Sequence, residues 1–316
     1  MNTLLALSLF HLFIFIMLAL DLGVFNKKSH KPTLKEALIW SAIWISSGLI
    51  FNAGIYYFQG SQKGMEFLTG YLIEKSLSVD NIFVFVLIFS YFSVPSEYQH
   101  KVLFWGIIGA LFMRAGFILL GTLLIKKFHF ILYIFGVFLV YGGYKMMFQS
   151  DNEIDPSKNP FLKICRKLFP VTDNYRGANF FVRENNILKV TPLIPVLAVV
   201  ESTDLIFAID SIPAIFAITQ DAFIVYTSNI FAILGLRSLY FALGDIIEKF
   251  TCLKYGLSIV LAFIGIKMLI MDIYKIPTAV SLIVVALLIF GSVFISLFIN
   301  EKAKSAQPIL IEEKVS

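Results

Sequence analysis

About nine apolar stretches, each long enough for one membrane-crossing helix, leave this chain few alternatives. A hydrocarbon core roughly 30 Å thick needs about 20 apolar residues per helix. Such runs lie near 3–21, 37–57, 66–93, 102–125, 130–149, 191–217, 222–244, 255–272 and 278–299. Only 15% of the 316 residues are charged, against about a quarter in soluble domains. So few charges cannot cover a water-facing surface, and the remaining surface must face lipid. The expected fold is all-α: one polytopic transmembrane domain over 1–316. No Lys or Arg precedes Lys27 and no small-residue cleavage pattern follows the first run, so an uncleaved first span is expected rather than a signal peptide. The polar segment 150–190, with Pro156, Pro160 and Pro170, reads as a loop with some helix, and 300–316 as a tail.

Lys and Arg give the orientation. Seventeen fall in one alternating set of loops, and four (Lys63, Lys126, Lys127 and Lys275) fall in the other. Basic loops stay cytoplasmic. The N-terminus is therefore expected outside, and the loop 150–190 and the C-terminus inside, which suits a bacterial inner membrane. Cys165 and Cys252 then lie on the reducing side, and no disulfide is expected. The net charge of +5 is dispersed among loops and forms no nucleic-acid patch.

Five basic residues remain inside the runs: Lys75, Arg114, Lys145, Arg237 and Lys267. Their placement repeats. Span three holds S-V-D-N-I-F-V (78–84) and span six S-T-D-L-I-F-A (202–208). Arg114 precedes Gly121 by seven residues, as Arg237 precedes Gly244. G-Y-K-M-M surrounds Lys145, and G-I-K-M-L surrounds Lys267. Asp80 to Arg114 is 34 residues and Asp204 to Arg237 is 33; the next intervals, to Lys145 and Lys267, are 31 and 30. This is a duplicated three-helix unit, about 66–149 and 191–272. Three being odd, the second copy must cross in the opposite sense. Inverted repeats of this kind hold substrate near the bilayer midplane, where the halves meet.

Spans three and six also carry Glu74, Asp80, Glu201, Asp204 and Asp210. Each charge at mid-bilayer costs about 2.5–3.5 kcal/mol on insertion scales, so five acids and five bases must point inward and interact. Ion pairs that only pin the bundle are one reading; Arg114, Arg237, Lys145 and Lys267 are the expected charge partners. Against a purely structural purpose, buried ion pairs seldom stabilise more than apolar packing. The acids sit on two equivalent helices, among oxygen-bearing Ser76, Ser78, Asn81, Ser202, Thr203 and Ser211. Such ligands suit Mg²⁺, Ca²⁺ or Mn²⁺, whereas Zn²⁺ or copper would want imidazole and thiolate. Glu74, Asp80, Glu201, Asp204 and Asp210 are the candidate metal ligands, with Asn81 and Ser211 secondary. Asn229 reads as an interhelical hydrogen-bond partner.

At 100° per residue, Glu201 and Asp210 fall on opposite faces of a straight helix. If all the acids meet one ion, span six must be kinked or unwound between Pro195 and Pro213; otherwise the acids serve in sequence along a path. Carboxylates sharing a site raise one another's pKa, which would let protons compete with metal and make an antiporter.

The stretches E-K-S-L-S-V-D-N-I-F-V-F (74–85), E-S-T-D-L-I-F-A-I-D-S-I-P-A (201–214) and T-S-N-I-F-A-I-L-G-L-R-S-L-Y (227–240) closely resemble the TerC/Alx family of bacterial membrane proteins. A-L-D-L-G-V-F (19–25), W-I-S-S-G-L-I-F (44–51) and G-G-Y-K-M (142–146) fit too. The resemblance covers roughly 10–300. It implies Mn²⁺ export and manganese homeostasis, in some members links to alkaline pH or tellurite resistance, and acidic site positions at the five residues above, with Asp21 as a further one. The expected function is thus export of a divalent cation, Mn²⁺ favoured, with no permanent cofactor. The alternative is a non-transporting scaffold in metal or tellurite stress resistance or secretion. No Walker A, G-x-S-x-G or H-E-x-x-H sequence is present, so no enzyme is expected.

Overall fold

The computed structural model describes residues 3–23, 33–128, 130–148, 164, 167, 170–184, 187–243 and 252–312. Each of the apolar stretches is helical: α1 (Thr3–Gly23), α2 (Leu34–Gln59), α3 (Ser61–Tyr91), α4 (Ser96–Lys127), α5 (Ile131–Phe148), α6 (Leu193–Phe216), α7 (Ala222–Leu234), α8 (Leu236–Leu243), α9 (Leu253–Leu269) and α10 (Thr278–Glu312). Segments 34–59, 96–127, 131–148, 222–242 and 278–299 are long and apolar enough to cross a membrane. Helices α3 and α6 carry the acids of the two repeats, which keeps them out of that set.

Local chemistry sets the helix ends. Thr33 and Glu36 form a capping box, each side chain hydrogen-bonded to the other's backbone N–H. Gly60 turns the chain from α2 into α3 at φ 95°, where a side chain would be strained. Asp221 accepts from the N–H groups of Phe223 and Ile224 and starts α7.

Two sequence expectations change here. Within 150–190, Ile164 and Lys167 are helical, as expected, but the described residues also carry a two-stranded antiparallel hairpin, β1 (Phe181–Glu184) with β2 (Ile187–Val190). Its β-branched and aromatic residues flank Asn185-Asn186, which is hairpin chemistry. The Tyr175 hydroxyl donates to Phe92 O (2.7 Å) and Lys101 Nζ to Ala178 O (2.5 Å), tying the segment to the ends of α3 and α4. Second, α6 is not unwound; it runs as one helix through 201–213. Pro195 lies in its first turn, where the N–H has no helical partner to lose. Past Pro213 the ladder continues, with Ala217 N–H donating to Pro213 O at 3.1 Å.

In the interior, α3 packs on α6 and α7, α4 packs on α6 and α7, and α5 lies along α9. The last contact is backbone to backbone. A Cβ at Gly136 would meet Gly265 O at 3.0 Å, one at Gly265 would meet Gly136 O at 2.7 Å, and one at Gly143 would meet Ser258 O at 2.6 Å. Position falls along α9 as it rises along α5, so the two helices run antiparallel. Overpacking of this kind costs about 1–3 kcal/mol. Gly143→Ala should therefore lower the unfolding temperature in detergent by several degrees. Gly116→Ala and Gly291→Ala, where a Cβ meets nothing within 4 Å, should not lower it.

Candidate functional site

The acids of the two repeats converge on one arginine. Arg114, on α4, is fully buried, as are Glu74 of α3 and Asp204 of α6. Its Nε donates to Asp204 Oδ2 (3.2 Å) and its Nη2 to Asp204 Oδ1 (3.0 Å), a side-on fork. Nη1 donates to Glu74 Oε1 and, at 2.8 Å, to Asn229 Oδ1. Asn229, on α7, closes the ring by donating Nδ2 to Glu74 Oε2 at 3.1 Å. Four helices thus meet at one guanidinium carrying two carboxylates, an assembly left with one negative charge in excess. The interhelical role expected of Asn229 is the one it has.

Glu201 stands one turn before Asp204 and turns toward α4. A Cβ at Gly109 would lie 1.9 Å from Glu201 Oε1, so glycine is what lets that carboxylate in. Its Oε2 is buried without a hydrogen-bond partner, as are Ser78 Oγ, Asn81 Oδ1 and Ser211 Oγ. Buried oxygens are nearly always hydrogen-bonded, so these four, which α3 and α6 carry besides the similarly unpartnered Tyr71 hydroxyl, are acceptors open to a cation. The side chains of Asp21, Asp80 and Asp210 lie outside the described residues. Among the described residues, no group of three or more His, Cys, Asp and Glu side chains stands close enough to hold a metal as it is.

The expected charge partners divide. Arg114 is the hub. Arg237 is buried and, with Asp204, lines a recess of about 20 Å³ between α4, α6 and the α7–α8 junction, room for about one water-sized ligand. Lys267 is buried, and its Nζ donates to Ser281 Oγ at 2.9 Å. Lys145 departs from expectation: it is exposed in the last turn of α5 and joins no described ion pair. A lysine there reaches the interface and favours the helix's negative end, so it needs no carboxylate.

A second polar group escaped the sequence reading, because its members lie at span ends where charges are unremarkable. Lys63 Nζ sits 2.7 Å from Asp221 Oδ2 and 3.5 Å from Glu66 Oε2, and the Thr219 hydroxyl donates to Glu66 at 2.6 Å. These residues, with Lys267 and Lys275, line a cavity of about 540 Å³ between the start of α3, the α6–α7 turn and the end of α9. Burial pushes the Asp221 carboxyl up, but the Lys63 ammonium and the α7 amides outweigh it and hold it below the usual range.

The integral membrane protein TerC family matches residues 59–304. The chain is similar to the uncharacterized membrane protein STKORF319 of Myxococcus xanthus, 51% identical over 294 residues, covering 93% of this chain and 92% of the relative. It is also similar to a protein named membrane-bound redox modulator Alx in Escherichia coli K12, 48% identical over 294 residues and 90% of each chain. A Rickettsia bellii membrane protein is 46% identical over 288 residues, 91% of this chain and 95% of its own. No solved structure matches.

Proposed function

The chain belongs to the TerC family of integral membrane proteins, and on that premise we propose that it exports divalent metal cations, Mn²⁺ foremost, from the bacterial cytoplasm across the inner membrane. Nine spans, with the N-terminus outside and the C-terminus inside, best fit the basic loops. Two inverted repeats fit the packing. Among the six helices of the repeats, exchanging α3 with α6, α4 with α7 and α5 with α9 turns each of the larger contacts into another that is present, whereas the contacts that α2 and α10 make with α3 have no such counterpart. The same exchange turns the Gly136–Gly265 contact into that of Ser258 with Gly143. A two-fold axis in the membrane plane has this effect.

The observation that carries the reading is the meeting of Glu74 and Asp204, one from each repeat, on Arg114. In this resting arrangement the guanidinium occupies the place of a cation. A divalent ion that displaced it would neutralise the two carboxylates and could draw on the orphaned oxygens of Glu201, Ser78, Asn81 and Ser211. Oxygen donors of this kind suit a hard cation; manganese is preferred on the family resemblance. With α6 unbroken, its acids face different directions, so they act in sequence along a path. Protons returning to the vacated carboxylates would drive the cycle, and metal-transport rates that stay flat across pH would remove that coupling.

The cellular test is manganese content under Mn²⁺ challenge, in a host lacking its own exporter. Cells carrying the gene should hold several-fold less manganese; equal content contradicts the proposal.

A further inference from the structure

Span seven is interrupted where no proline stands: α7 ends at Leu234 and α8 begins at Leu236, with Gly235 between them. The last carbonyls of a helix lack helical partners and form the negative end of its dipole. One of them, Ala232 O, accepts a 3.0 Å hydrogen bond from Lys75 Nζ on α3. The ammonium fills the space a side chain at 235 would need. A Cβ on Gly235 would lie 2.9 Å from Nζ and 3.2 Å from the Cβ of fully buried Trp44. The described partner of this lysine is therefore the end of a half-helix, not a carboxylate.

Interrupted membrane helices commonly bind a small coupling cation at such freed carbonyls. Here the sequence supplies the charge covalently. We propose that the break in span seven is a monovalent-cation site that Lys75 fills with its own ammonium. The tie has a definite place in the molecule. Lys75 directly follows Glu74, and Ala232 lies one turn beyond Asn229, which bonds both Glu74 and Arg114. Holding Lys75 to Ala232 fixes the register of α3 against α7 at the carboxylate cluster. The site stands without the transport reading; what rests on that reading is the consequence that no free Na⁺ or K⁺ is needed at this point of the cycle.

Emptying the site should reveal its selectivity. The purified full chain in detergent is unfolded thermally in choline, sodium and methylammonium chloride at equal ionic strength. Wild type should melt at one temperature in all three. Lys75→Ala, which leaves the carbonyl and opens a cavity, should melt several degrees lower in choline and recover at least half the loss in methylammonium or sodium. Lys75→Met, which fills the space without charge, should drop and not recover. An alanine variant indifferent to the cation, or a methionine variant as stable as wild type, overturns the proposal. If the alanine variant does not fold, Lys75→Gln decides: wild-type stability overturns the proposal, a lowered melting point supports it. Mn²⁺ movement by the wild type is read separately. Its absence beside a cation-responsive Lys75→Ala would sink only the transport reading, whereas normal export beside an unresponsive variant would sink only this one.

Discussion

Arg114→Met should leave the protein unable to accumulate as a folded, monodisperse species in detergent. Removing one partner of a buried ion pair costs about 3–5 kcal/mol, because the remaining charge stays buried and uncompensated. Here two carboxylates, Glu74 and Asp204, lose the same partner at once, and Asn229 holds only one of them by its amide. The loss thus lies at or above the top of that range and consumes much of a typical folding stability. Arg114→Lys should fall between, since an ammonium keeps the charge but cannot fork across Asp204 while reaching Glu74. Combining Arg114→Met with Glu74→Gln and Asp204→Asn should restore folding, since no lone charge is left. A single Arg114→Met protein with the wild-type melting temperature would show that the cluster holds nothing together.

Asp204→Asn should act in the opposite sense. It leaves Glu74 and Arg114 as a balanced pair, so the protein should fold at least as well as wild type. Function should nonetheless collapse, because a divalent ion displacing Arg114 would meet one carboxylate instead of two. Loss of an outer-shell partner lowers metal affinity by about 10–100-fold, and loss of a direct ligand should exceed that. Cells expressing Asp204→Asn should be as manganese-sensitive as cells without the gene, at equal amounts of membrane-inserted protein. Asp80→Asn, its counterpart in the first repeat, should behave likewise. A scaffold that acts through partners would tolerate both substitutions, and intact resistance in either would favour that reading.

Much of this arrangement was legible in the chain. The two copies of Ser-x-Asp followed by Ile-Phe, and the matched spacing to Arg114 and Arg237, located the helices that meet at the centre. Which arginine takes which acid was not legible, since that depends on how helices distant in sequence pack. Arg114 pairs with Glu74 of its own repeat and reaches across to Asp204 of the other as well. Gly109 looked like any small helix residue until Glu201 was found against it. The interruption of a helix was expected in the wrong span: Pro195 sits in the first turn, where a helix tolerates proline, and α6 runs on past Pro213 inside it, while the break falls at Gly235, whose neighbour is a charge from α3. Lys145 and Lys267 are equal by motif, yet one is exposed and the other buried, a difference set by the helix that covers each.

Mn²⁺ movement by the purified protein in liposomes, read by a metal-sensitive dye trapped inside, tests the central claim most directly. The wild type should carry Mn²⁺ across the bilayer faster when the dye-side compartment is the more acidic, and Asp204→Asn and Asp80→Asn should reduce the rate to that of empty vesicles. A wild type that moves no Mn²⁺, or variants that move it undiminished, would contradict the account.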